Sequence, residues 1–167
     1  VRILITLTII LLAACGRAPE PGVLVDGRRI PVIDMHLHTG TWAMTPPGFR
    51  KRLTDRVPTG FKWIMGPFVD YNLRGKTIVG QLDSAGISAG GLFALYSPAT
   101  TGIASNEFVA GEIASVPGRL YGFASLRVDD WNNDSAAELA RLEAGVKLPG
   151  MHGMEVCKNL RANGATL

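Results

Sequence analysis

The stretch that decides the fold runs from Ala89 to Leu126, AGGLFALYSPATTGIASNEFVAGEIASVPGRLYGFASL. Ala89 to Tyr96 is a short, nearly continuous apolar run, the pattern of a strand covered on both faces. Asn106 to Val116 changes to helical spacing, with Asn106 or Ser105 as its cap and Pro117-Gly118 beyond its end. Leu120 to Leu126 returns to a strand pattern. Downstream, Asp134 to Ala144 reads as a helix capped by Asp134 or Ser135, with Gly145 near its stop, and Met151 to Cys157 as a further strand. Upstream, Gly75 to Ala85 places Ile78, Val79 and Leu82 at helical spacing and ends at Gly86. Arg29 to His38 (RIPVIDMHLH) reads as the first strand, and Thr39 to Arg74 is long, rich in Gly, Pro and aromatics, and without clean periodicity.

The last three strand candidates start about thirty residues apart, one βαβ unit each. Apolar strands separated by amphipathic helices imply a parallel sheet covered by helices. The expected fold class is α/β of the (β/α)8 TIM-barrel type, with only about the first four βα units present. A complete barrel takes roughly 250 residues, so the 167 residues here are expected to be a truncated copy, or a fragment, of a longer barrel.

Composition is that of an ordinary globular chain: 47% hydrophobic residues, 20 Gly, 10 Pro and a net charge of +3, enough for one domain at most. Arg50, Lys51 and Arg52 form the single dense basic cluster, without interleaved aromatics, so no nucleic-acid partner is expected. Several glycines between Gly86 and Gly91 do not form a phosphate-binding Gly-x-Gly-x-x-Gly, and Ser84 and Ser97 lack a Gly-x-Ser-x-Gly elbow.

The first residues read as a targeting segment. Ile3 to Leu12 is about half the roughly 20 apolar residues that span a bilayer, and Leu12-Ala13-Ala14-Cys15 follows at once. A short apolar run ending in small residues is a cleaved secretory signal, and a cysteine placed there resembles the bacterial lipoprotein signal, whose thiol is acylated. A plain signal peptide or a buried apolar helix are the alternatives. The expected layout is therefore a signal over residues 1–14, lipidated Cys15 and a tether over 15–28, and the half-barrel over 29–167. This implies lipid anchoring at the bacterial cell envelope. Cys157 is the only other thiol, so no disulfide framework is expected.

The chemistry is expected at the end of the first strand. His36 and His38 lie two apart, so both imidazoles project to one side while Met35 and Leu37 face the other. At the carboxyl end of a barrel strand that side is the active-site mouth. Two neutral imidazoles on one rigid strand suit a divalent metal, Zn²⁺ first among the candidates. Asp34 shares their parity one pleat deeper and is expected to orient a ligand or line the floor. Trp42, Phe49, Trp63, Phe68 and Tyr71 fall in the long first βα segment. They are expected to pack it onto its own barrel, or to wall the substrate.

On these residues the chain resembles the amidohydrolase superfamily, in the branch that includes aminocarboxymuconate-semialdehyde decarboxylase and related metal-dependent hydrolases. VIDMHLH (Val32 to His38) stands where that family has its first-strand metal motif. LDSAGISAGGLFAL (Leu82 to Leu95) and NEFVAGEIASVPGRLYGFASL (Asn106 to Leu126) are similar to its following helix, turn and strand passages. The resemblance covers the chain from about Val32 to Met154, and it implies His36 and His38 as the first two metal ligands. The family's third histidine and its catalytic aspartate lie on later strands and have no counterpart here. Where the family often shows Gly-Ile-Lys-Leu-His-Pro, this chain has Gly153-Met154-Glu155-Val156-Cys157-Lys158. By parity Glu155 points into the barrel beside the metal, as a ligand or positioning group, or as a charge paired with a nearby Lys or Arg. His152 has the opposite parity and is expected against the helices. Cys157 is either a soft-metal ligand or buried packing.

The implied activity is metal-dependent hydrolysis of a small-molecule C–N or C–O bond. Metal-assisted decarboxylation and a non-catalytic, lipid-anchored binding protein are the alternatives. A half-barrel also exposes open sheet edges, which favours a homodimer.

Overall fold

The computed structural model describes residues 20–128 and 131–155. Its first element is a hairpin, Val23–Val25 (β1) antiparallel to Arg28–Ile30 (β2). Asp26 and Gly27 both have positive φ, 49° and 73°. That is the backbone of a two-residue type I′ turn, which an Asp-Gly pair enters at little steric cost. Pro31 follows and has no N–H to extend a ladder. The single strand expected over Arg29 to His38 is therefore two elements, and the segment expected as tether up to residue 28 carries its last six residues in this hairpin. Ile3 to Leu12, Cys15 and Cys157 lie outside the described residues. Among the described residues no helix is long and apolar enough to cross a membrane.

Ile33–His38 (β3) is the first strand of the main sheet. After it come a 3-10 turn at Trp42–Met44, helix Pro47–Thr54 (α1), a second 3-10 stretch at Thr59–Ile64, and helix Met65–Asn72 (α2). The segment that lacks sequence periodicity is thus mostly helical. The pattern is invisible because these short helices lie on the surface: α1 buries no residue and α2 buries only Val69. The start of α1 is set by Pro47, whose fixed φ fits the first turn of a helix.

Gly75–Ser84 (α3), Ala89–Phe93 (β4), Asn106–Ala114 (α4), Leu120–Ala124 (β7), Ser135–Val146 (α5) and Met151–Met154 (β8) complete the alternation, with a small hairpin, Leu95–Ser97 (β5) and Gly102–Ala104 (β6), between β4 and α4. The expected strand through Tyr96 ends at Phe93, and the chain turns into this hairpin instead. The main sheet is parallel throughout, in the order β3-β4-β7-β8. Neighbours in sequence are neighbours in space, as in one side of a (β/α)8 barrel. The described residues hold three complete βα units and a fourth strand.

One face of the sheet is covered by α3, α4 and α5. Ile78 and Leu82 from α3, Val109 and Ile113 from α4, and Leu142 from α5 pack on Leu92, Leu120, Ala124 and Met151. Leu92, Val109 and Leu120 are at most 1% exposed, each contributing roughly 2 kcal/mol by burial. The caps are Ser105, whose Oγ accepts the Phe108 N–H (3.2 Å), and Asp134, whose carboxylate accepts the Ala137 N–H (2.9 Å). That frees Asn106 for another task.

Asn106 is fully buried and clasps the end of β7. Its Nδ2 donates to the Ser125 carbonyl (3.0 Å) and its Oδ1 accepts the Ser125 N–H (2.8 Å). Its own N–H donates to the Tyr96 hydroxyl. Glu138, also buried, accepts the Arg127 N–H at 2.8 Å and pairs with Arg141. Both side chains satisfy backbone that leaves the sheet near the carboxyl ends of the strands. Asn106→Ala strands two buried backbone groups of Ser125 and is expected to cost about 2–4 kcal/mol, read as a lowered urea midpoint. An unchanged midpoint would show that water or a rearranged loop replaces the clasp.

Candidate metal centre

The other face of the sheet carries the candidate ligand residues. Phe93 of β4 stacks on Phe123 of β7 (centroids 4.6 Å apart, 20° between planes). The rings of His36 and His38 lie 5.1 and 6.3 Å from Phe93. This platform backs the histidine pair, in which His36 is exposed and His38 half-buried.

His36 and His38 do share a side, but β3 reaches that arrangement through an irregularity. Asp34 is in register with Gly90 and Leu37 with Leu92, so three steps along β3 match two along β4. The extra residue lies between them, a bulge. Leu37 stays on the helix side, packed against the core. Asp34 is brought into line with Gly90, where a Cβ would meet Leu37, Leu82 and Leu120. The shared parity expected for Asp34 and the histidines therefore does not hold. Its Oδ1 accepts the backbone N–H of His36 at 3.0 Å, so it supports His36 through the main chain rather than through the imidazole.

The third member comes from the far edge of the sheet. His36, His38 and Glu155 each present a ligand atom, all within 4.8 Å of one another. Glu155 lies just past β8, and its N–H donates to the Ala124 carbonyl at 2.8 Å, which ties it to the end of β7. A second bulge determines its direction. Gly122 is in register with Met151 but Phe123 with Gly153, so His152 is the extra residue. Past that point alternation restarts, and Glu155 emerges on the histidine side. The same bulge leaves His152 exposed and edge-on to Tyr121 (5.2 Å), on the open face. The expectation that His152 faces the helices is thus corrected: one inserted residue lets both His152 and Glu155 take the open side.

The geometry fits a cation held by imidazole nitrogens. His36 Nε2 and His38 Nε2 are 3.1 Å apart, close to the separation of about 3.3 Å that two nitrogens adopt around one tetrahedral Zn²⁺. His38 Nδ1 is buried and has no hydrogen-bond partner among the described residues. Two imidazoles and one carboxylate form the His₂Glu set of several catalytic zinc sites, which keep one position open.

Burial holds the His38 imidazole below its ordinary pKa near 6.5, and the neighbouring His36 pushes in the same direction, with Glu155 opposing. A neutral imidazole is the form a metal needs. The sign for stability follows from linkage. A histidine with a depressed folded pKa lends full stability above its unfolded value, and that stability falls as pH drops from about 6.5 toward the folded pKa. The metal-free chain is accordingly expected to lose unfolding free energy as pH falls below about 6.5, and His38→Asn to flatten that slope. Parallel slopes in urea titrations of the two proteins would contradict it.

A cleft of about 610 Å³ opens directly from the three side chains. Its walls come from the helical segment after β3, including Met44, Phe49, Leu53 and Phe68, and from the β5–β6 hairpin, including Leu95 and Ile103. Gly102 (φ +122°) brings the hairpin against Met44, since any Cβ there would run into the Met44 carbonyl. Of the aromatics in the long segment, Phe49 and Phe68 wall the cleft. Trp63 and Tyr71 are largely exposed, and Trp42 lies under the Arg50 guanidinium, 5.5 Å from its ring centroid. The hairpin wall is absent from the sequence reading. The Ser97 to Gly102 turn between short apolar stretches was its only signal.

No protein-family model and no curated protein matches the chain. Among solved structures it is similar to an uncharacterized TIM-barrel protein from Bordetella bronchiseptica, at 16% sequence identity and a TM-score of 0.44. That similarity covers 71% of this chain and 41% of the other.

Proposed function

We propose that this chain carries the metal-binding half of a metal-dependent hydrolase site of the amidohydrolase type, acting on a C–N or C–O bond of a small molecule. The observation that carries the reading is the arrival of Glu155, from the last described strand, within 4.8 Å of His36 and His38 on the first. Residues more than a hundred positions apart gain nothing for stability from meeting as two imidazoles and a carboxylate on an open face, whereas a divalent cation needs such a set. Zn²⁺ is the favoured ion because two of the three donors are imidazoles. A cation bound there supplies a Lewis acid for the carbonyl and lowers the pKa of water toward neutrality. His36 and His38 hold it from β3, Asp34 fixes the His36 main chain, and Glu155 supplies the charge that makes the site selective for a cation.

The reading is tested on metal-free protein titrated with Zn²⁺ by calorimetry. One equivalent is expected, with His36→Ala and Glu155→Gln each weakening it by about tenfold or more, on the order of 1.4 kcal/mol. Stoichiometric Zn²⁺ binding that ignores both substitutions would move the metal elsewhere, and absence of binding would end the proposal.

The same reading places the chain at a bacterial cell envelope, held by a lipid on Cys15, on the strength of the Leu12-Ala13-Ala14-Cys15 sequence. Expression in a bacterial host with labelled palmitate is expected to label the chain, and Cys15→Ser to abolish the label. Label retained in Cys15→Ser would refute it.

A further inference from the structure

The cleft beside the three ligands is polar in name more than in character. Its lining includes Thr39, Thr45, Ser97 and Asn72, yet these groups are already engaged within the fold. The Thr39 hydroxyl donates to the Leu73 carbonyl (2.5 Å) and the Thr45 hydroxyl to the Thr41 carbonyl (3.1 Å). The Ser97 and Thr100 hydroxyls bond each other. Asn72 donates to the Phe68 carbonyl (2.8 Å) and accepts from Gln81 (3.2 Å). Most of the rest of the lining is apolar, with Met44, Phe49, Leu53, Phe68, Leu95 and Ile103 among it.

Charge is confined to one end. Glu155 is the single carboxylate in the lining, and no lysine or arginine is among the described lining residues. Arg50 and Arg52 flank the wall residues Phe49 and Leu53 without lining the cleft, Arg52 stacking on the Phe49 ring 5.3 Å from its centroid and Arg50 held by backbone. The Arg50 guanidinium donates to the Thr45 carbonyl (2.6 Å) and the Ala43 carbonyl (2.8 Å) and stacks over Trp42. An anion entering the cleft would lose water and find no lysine or arginine in the lining, with only the Thr41 and Thr101 hydroxyls to add to the engaged groups. An apolar group entering it gains by burial on every wall.

We infer that the cleft takes the apolar part of a neutral acyl compound, an uncharged ester, lactone or amide with a bulky alkyl or aryl portion. It rejects acids whose free carboxylate would lie along the wall. This rests on the proposed metal site only for the placement of the carbonyl, at the His36, His38 and Glu155 end. A volume of about 610 Å³ falls in the range that holds a two-ring group.

The test uses two probes of one shape, 1-naphthaleneacetamide and 1-naphthaleneacetate, titrated at pH 7 against the metal-free chain and followed by fluorescence. The amide is expected to bind at least tenfold more tightly than the carboxylate. Leu53→Lys puts a cation on the wall and is expected to reverse the order, with Leu53→Gln keeping the original preference. Circular dichroism and Zn²⁺ uptake check each variant's fold; should Leu53→Lys not fold, Ile103→Lys places the same charge on the opposite wall. Equal or tighter binding of the carboxylate to the unaltered chain would overturn the inference, as would a folded chain that binds neither probe. A chain that binds the amide but no Zn²⁺ sinks the metal reading alone. One that takes up Zn²⁺ but not the amide sinks the cleft reading alone.

Discussion

The one-residue insertion at His152 determines where everything after it points. In a strand the side-chain period is two, so an extra residue exchanges the faces of all that follow. Without the insertion, Glu155 would share the side of Met151 and lie against α4 and α5, a carboxylate facing Ile113 and Leu142. With it, Glu155 faces the histidines, and the hydrogen bond from its N–H to the Ala124 carbonyl holds it there. A matching insertion in β3 removes Asp34 from the histidine side and turns its carboxylate to the His36 amide. Two bulges at the two edges of one sheet thus compose the cluster. Their placement beside the site fits the general use of bulges to re-aim side chains.

The sheet keeps its two faces chemically separate. The helix-covered face is apolar and closely packed, and its few buried polar groups, Asn106 and Glu138, are engaged with backbone at the strand ends. Those two side chains act as fasteners for the loops that surround the site. The open face carries aromatic rings and imidazoles, with Phe93 and Phe123 stacked as a floor. Rigid packing beneath and ligands above is the arrangement that a preformed cation site requires.

The cleft is an accessory built from the least regular parts of the chain. Helices α1 and α2 and the β5–β6 hairpin belong to no βα repeat; the two helices bury little of their own surface, whereas the hairpin is mostly buried. Their hydroxyl and amide groups bond within the segment, as surface helices and turns without a deep core must arrange. The wall these segments form is largely apolar and lies next to three ionisable ligands. Chemistry and specificity are thereby divided: the strands hold the charged groups, and the irregular segments supply the apolar contact area.

The sequence by itself determined the alternation of strands and helices after Gly75, the parallel sheet, and the pairing of His36 with His38. Apolar runs at thirty-residue spacing and a two-residue histidine interval are local patterns, and local patterns survive folding when one face is buried. Tertiary structure decided the rest. Which side of the sheet Asp34, His152 and Glu155 take depends on register between strands far apart in sequence, and a bulge leaves no mark in either strand read alone. The helices of the Thr39 to Arg74 segment were hidden because they bury too little to impose a periodic stripe. The cleft was hidden because its apolar lining, Met44, Phe49, Leu53, Phe68, Leu95 and Ile103, is gathered from segments that meet only once the β5–β6 hairpin folds against the helical segment.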